Sequence, residues 1–168
     1  MFCFTRKGHN SLGKNTQGFT LIELFLTIAI LAVIAAIGVP SFQETVRSNR
    51  ITSSSNDIVH SLNYARMEAI RRGASITLKT TSGTNDWSNG YSVESPSEVL
   101  KKVNIDHATL QIATVNLSEI TFKADGFLSA NGEVFTVCSA SGDKGRQITL
   151  LKSGRIALDE DHPCSSDS

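Results

Sequence analysis

Apolar and polar positions divide this chain into three stretches. From Phe19 to Val39 there are 21 residues with a single ionisable side chain, Glu23. As an α-helix that run is roughly 31 Å long, about one bilayer core. Beyond Pro40 the apolar positions thin out to Val46, Ile51, Ile58, Leu62, Ala65 and Ala69, which share one helical face. Arg47, Arg50, Asp57, Arg66 and Arg71 occupy much of the remainder. The pattern predicts one helix, apolar all round in its first half and striped in its second. Pro40 removes one backbone hydrogen bond and is expected to bend it. Gly73, directly after Arg71-Arg72, suits a C-cap, with the cations at the negative helix end. Ser53-Ser54-Ser55 is poor helix chemistry and marks an expected soft spot.

From residue 75 the period changes to two. Strands are predicted at Ser75–Thr80, Gly90–Glu94, Leu110–Val115, Glu119–Lys123, Val134–Ser139, Arg146–Leu151 and Arg155–Leu158. Clusters such as Thr81-Ser82-Gly83-Thr84-Asn85 and Ser139-Ala140-Ser141-Gly142-Asp143 separate them, and Lys152-Ser153-Gly154 makes a tight turn between the last two. The expected fold class is α+β: a long N-terminal helix packed on antiparallel β-sheets. No internal repeat or low-complexity tract is visible.

The charge in front of the apolar run changes its meaning. Arg6, Lys7 and Lys14 precede it, and residues 1–18 contain no acid. A secretory signal would carry a shorter apolar core and a small-residue cleavage site beyond it. Ala29, Ala32, Ala35 and Ala36 never fall two apart, so that site is missing. A plain membrane anchor explains the length and the flanking cations. It leaves Glu23 unexplained, since a carboxylate inside a bilayer costs on the order of 2.5–3.5 kcal/mol and is retained for a purpose. Thr20, Glu23 and Thr27 share one helix face, and Ala29, Ala32 and Ala36 form a smooth face suited to close helix packing.

Gly18-Phe19-Thr20-Leu21-Ile22-Glu23-Leu24 resembles the class III signal of type IV pilins and type II secretion pseudopilins. The resemblance implies cleavage by a prepilin peptidase between Gly18 and Phe19 on the cytoplasmic side. It also implies N-methylation of Phe19, a helix kink at Pro40, and Glu23 as the assembly contact for a subunit's α-amine. A buried carboxylate needs a cation, and the amine of Phe19, in the same chain or a neighbour, is the nearest one. Snorkelling or protonation of Glu23 in lipid is the alternative.

Processing would alter the composition. The whole chain balances sixteen basic against sixteen acidic residues. Losing Arg6, Lys7 and Lys14 leaves thirteen against sixteen, a net −3, so no global charge advertises nucleic-acid binding. Cys3 would leave too, so Cys138 and Cys164 remain. An even pair in an oxidising compartment points to a disulfide that pins the C-terminal tail to the strand around Cys138; two free thiols are the alternative.

Further on, Ala65-Arg66-Met67-Glu68-Ala69-Ile70-Arg71-Arg72-Gly73 is similar to the helix end of GspH/FimT pseudopilins. Trp87-Ser88-Asn89-Gly90-Tyr91-Ser92-Val93 resembles their tryptophan–glycine–aromatic strand. Ile120-Thr121-Phe122 with Gly126, Phe135-Thr136-Val137-Cys138, Arg146-Gln147-Ile148-Thr149-Leu150 and Gly154-Arg155-Ile156 complete the order. Asn49-Arg50-Ile51 and the cysteine at 138 lean towards FimT-like minor pilins, with the type II secretion H component as the alternative.

No catalytic reading emerges. His60, His107 and His162 show no ligand or triad spacing, neither cysteine has the partners of a zinc site, and no phosphate loop is present. Asp159-Glu160-Asp161 lacks the alternating ligands of a calcium loop and is expected to be a solvated tail. No metal or cofactor is expected. Some FimT-like minor pilins bind DNA through a basic C-terminal region ending in Gly-Arg-x-Arg. Here Lys144, Arg146, Lys152 and Arg155 cluster around one hairpin, which suits phosphate contact. The sequence then departs from that pattern, reading Gly154-Arg155-Ile156-Ala157; three acids follow and no aromatic residue interleaves the cations. A solvated edge hairpin is the competing account.

Pattern and resemblance together imply a leader at residues 1–18, a transmembrane and assembly helix at 19–39, an amphipathic soluble helix at 40–73, and a β-rich domain at 74–168. The chain would be a structural subunit of a type IV pilus in the bacterial inner membrane, its C-terminal domain in the periplasm. Other pilins, prepilin peptidase and the inner membrane are the implied partners, with DNA a further one. A minor component of the type II secretion pseudopilus is the alternative.

Overall fold

The computed structural model describes residues 18–105, 110–139 and 144–164, and the chain divides into two compact units, residues 1–42 and 43–168. The leader cations, Cys3, His107 and the Ser141-Gly142-Asp143 stretch lie outside the described residues.

Helix α1 (Leu21–Arg72) runs continuously through Pro40. Within the first unit its side chains are exposed throughout, Phe25 at 70% and Ile37 at 72%. Its hydropathy and length suffice to cross a membrane. In the second unit one face of α1 is buried: Ile51, Ile58, Leu62, Ala65 and Ala69, the stripe that the spacing predicts apart from half-buried Val46. The serine run does not interrupt it. Ser54 and Ser55 are buried, and the Ser55 hydroxyl donates to the Ile51 carbonyl at 2.8 Å. Small side chains that bond to their own helix let the sheets come close, so packing outweighs propensity here. The helix stops where expected: Gly73 takes φ 62°, and the Ala74 amide donates to the Ala69 carbonyl at 3.3 Å, a Schellman closure.

Among the described residues eight strands follow, β1 (Ile76–Thr80), β2 (Tyr91–Glu94), β3 (Val99–Val103), β4 (Leu110–Thr114), β5 (Glu119–Phe122), β6 (Glu133–Ser139), β7 (Lys144–Leu150) and β8 (Ile156–Pro163). They form two antiparallel four-stranded sheets, ordered β3-β2-β1-β5 and β4-β6-β7-β8. Buried residues alternate along β1, β2 and β4, as period two requires. Strand β3 escapes the sequence reading because Val99-Leu100-Lys101-Lys102-Val103 buries nothing fully; it is an edge strand paired to β2 across a register shift.

The tail is a second correction. Asp159-Glu160-Asp161 lies within β8, paired to β7, and the register shifts between Gly145 and Gln147. An edge strand with one solvated side tolerates three acids in a row, which is why the charge run resembles a tail.

Around Trp87 the core joins helix and sheets. The Trp87 ring packs against Phe135 and Tyr91 at centroid distances of 5.0 and 5.7 Å. Its indole N–H donates to Thr114 Oγ1 at 3.2 Å and to the Leu117 carbonyl at 3.3 Å. The Tyr91 hydroxyl reaches α1, donating to Ser61 Oγ at 3.0 Å and the Asp57 carbonyl at 3.1 Å. Burial pushes that phenol up to about 12.

Candidate functional site

Three places hold the residues that the sequence singles out: the start of α1, the disulfide, and the β7–β8 hairpin. Gly18 and Phe19 precede the helix as irregular backbone, with Phe19 80% exposed. Thr20 caps the helix. Its carbonyl accepts from the Glu23 and Leu24 amides at 3.1 and 3.2 Å, and its hydroxyl accepts from the Glu23 amide at 3.3 Å. Glu23 therefore sits in the first turn, where the helix dipole favours a carboxylate. Thr27 donates to the Leu24 carbonyl at 2.8 Å, which satisfies its hydroxyl within the helix.

Cys138 and Cys164 form a disulfide with Cα atoms 6.0 Å apart. The bridge crosses a whole strand. Cys138 in β6 pairs with Gly145 of β7, Gly145 pairs with His162 of β8, and Cys164 follows two residues later. A Cβ at Gly145 would run into both sulfurs and the Val137 carbonyl oxygen. Glycine is thus what lets the bridge pass over β7.

The hairpin separates the four cations expected to act together. Lys144 and Arg146 stand at its open end and face the β8 acids: Lys144 Nζ lies 3.8 Å from Asp161 and Arg146 Nη2 lies 3.5 Å from Glu160. The Arg146 side chain is only 16% exposed. These charges line a cleft of about 490 Å³ with Glu44 and Arg47, which also pair, at 3.3 Å. Lys152 and Arg155 lie at the turn end, exposed, and no carboxylate among the described residues pairs with them.

That turn is held by a residue the sequence does not single out. Arg66, on α1, donates from Nη1 to the Gly154 carbonyl at 3.0 Å and from Nη2 to the Ser153 carbonyl at 3.1 Å. Its stem lies against Gly154 and Gly126, both at positive φ; a Cβ at either would come within 3.3 Å of its Nε. Nearby, Glu68 bonds Arg71 and Arg72, and Arg72 reaches Glu98 at 2.7 Å. Those guanidinium groups hold the Glu68 carboxyl at about 2.

Comparison with known proteins decides the family. The family model of the type II transport protein GspH matches residues 54–154, and that of the prokaryotic N-terminal methylation motif matches residues 13–39. The chain belongs to the GspH family. A fimbrial protein of Pseudomonas aeruginosa is 30% identical over 124 residues, 74% of this chain and 79% of the relative. The type IV minor pilin FimU of the same organism superposes with a TM-score of 0.60 at 27% identity, over 66% of this chain and 89% of that one. The minor pseudopilin EpsH of the Vibrio cholerae type 2 secretion system has a TM-score of 0.52 at 12% identity, over 66% and 97%, a likeness of fold. The family member described here is a minor pilin or pseudopilin. Such subunits are structural rather than enzymatic and assemble with other pilins in a filament, anchored through the apolar helix.

Proposed function

We propose that this chain is a minor pilin of a type IV pilus. The observation that carries the choice is the asymmetry between its relatives: FimU is more alike in fold and sequence than EpsH. In this reading residues 1–18 are a leader that prepilin peptidase removes between Gly18 and Phe19, and the new amine of Phe19 is methylated. Exposed, non-helical backbone at Gly18 and Phe19, one step before the Thr20 cap, supports protease access. Residues 19–39 hold the precursor in the inner membrane, Pro40 bends the helix, and residues 40–73 carry the β-rich domain, 74–168, into the periplasm. During assembly Glu23 receives the amine of Phe19, because a carboxylate in an apolar filament core needs a cation.

Intact mass of the membrane-extracted protein tests the processing. The expected chain starts at Phe19 and carries one methyl group; a chain starting earlier, or beyond the apolar run, refutes the reading. Loss of surface pili with secretion intact on deletion assigns the type IV pilus. The opposite result assigns the type II secretion pseudopilus, in keeping with a family described as a type II transport protein. A DNA-uptake role narrows to Lys152 and Arg155, since Lys144 and Arg146 face carboxylates. Salt-sensitive DNA binding that survives Lys152→Ala plus Arg155→Ala removes this hairpin from that role.

A further inference from the structure

The turn end of the β7–β8 hairpin gathers side chains that the sequence scatters. The Leu128 amide donates to the Lys152 carbonyl at 2.9 Å, which brings the backbone after Phe127 alongside that of Leu151 and Lys152. Gly126 lies against Ile70, so the 123–127 turn also meets α1 one helical turn after Met67. Phe127, Leu151, Ile70 and Met67 are between 45% and 59% exposed. Clustered, half-exposed apolar side chains of this size mark interaction surfaces. The cations around them, Lys123, Lys152 and Arg155, have no carboxylate partner among the described residues. The turn also carries one acid, Asp125, whose Oδ1 accepts from the Phe127 amide at 3.0 Å, so three cations stand against one carboxylate. Arg66 and the two glycines hold the assembly in place, so the face exists before any partner arrives.

We propose that this face, Met67, Ile70, Phe127 and Leu151 with Lys123, Lys152 and Arg155 around them, docks a different filament subunit through an acidic segment with apolar neighbours. The inference rests on the filament reading above. An apolar centre with a charged rim is the anatomy of a protein interface. A single-strand nucleic-acid platform would instead need several aromatic faces, and Phe127 is the one aromatic residue here. A second copy of this chain is a poor complement, because Glu160 and Asp161 of its acidic run already face Arg146 and Lys144.

Photo-cross-linking of the full chain in its own cells tests this, with p-benzoylphenylalanine in place of Phe127 and, separately, of Met67. Mass spectrometry reads both the adduct and the processed N-terminus. The expected adduct joins either position to an acidic peptide of another pilin-type subunit. Its yield should fall about tenfold or more with Lys152→Glu plus Arg155→Glu, as like charges then meet, and hold with Lys123→Arg. An adduct to nucleic acid, to lipid or to a second copy overturns the proposal. So does no adduct from a correctly processed, filament-incorporated chain. If processing itself fails, the filament reading falls with it.

Discussion

Gly145→Ala adds one methyl group where the Cys138–Cys164 bridge passes over β7. The new carbon would collide with Cys164 Sγ and the Val137 carbonyl oxygen, and would lie 2.9 Å from Cys138 Sγ. None of these atoms is the free end of a flexible side chain. Relief therefore requires either moving β7 away from β6 or leaving the bridge open. Overpacking of this kind costs about 1–3 kcal/mol, and three fixed neighbours place it at the upper end. Opening the bridge forfeits about 3.5 kcal/mol in the loop-entropy account, for a sequence separation of 26. Both routes give a loss near 3 kcal/mol, and alkylation of free thiols under non-reducing conditions distinguishes them. Urea unfolding of the detergent-extracted full chain supplies the magnitude. In a Cys138→Ala plus Cys164→Ala background the sulfurs are gone and only the Val137 carbonyl remains. The same alanine should then cost about 1 kcal/mol, a coupling of roughly 2 kcal/mol between the sites. If Gly145→Ala unfolds within about 0.5 kcal/mol of the parent with the bridge fully closed, the account of Gly145 is wrong.

Three further outcomes follow from the second unit. Arg66→Met should destabilise by about 2 kcal/mol, since two charged hydrogen bonds to the Ser153 and Gly154 carbonyls vanish, and hydrogen exchange should rise first in the 151–155 turn. Glu68 has its carboxyl lowered from 4.5 to about 2 by Arg71 and Arg72, so its stabilisation is complete above about 4.5 and disappears as the pH falls through about 2. Amides 69–74 should lose protection over that window in the parent and show no such dependence in Glu68→Gln. Tyr91 is raised from 10.0 to about 12 by burial, so the stability linked to its neutral form is whole below pH 10 and is lost as pH rises through 12. Ultraviolet titration should show that late phenol, and Tyr91→Phe should remove it at a cost of about 1 kcal/mol through the lost bonds to Ser61 and Asp57.

Local chemistry alone determined the helix and its two halves. A 21-residue apolar run, a three-and-four stripe from Ile51 to Ala69 and a glycine after two arginines are signals carried by neighbours in sequence. Strands with one buried face were legible for the same reason, and so was the pairing of two cysteines once Cys3 is set aside with the proposed leader. Strand β3 and the end of β8 were not, because an edge strand buries no alternating set and its charges look like those of a tail. The four cations of the hairpin illustrate the limit most clearly. Sequence places them within a few residues of each other, but strand pairing puts carboxylates opposite Lys144 and Arg146 and leaves Lys152 and Arg155 at the other end. Arg66 and Phe127 gain their roles from contacts with residues far along the chain, the Arg66 bonds spanning 87 and 88 positions. No periodicity reports such contacts, because which distant residue arrives is settled only when α1 and the two sheets close on a shared core.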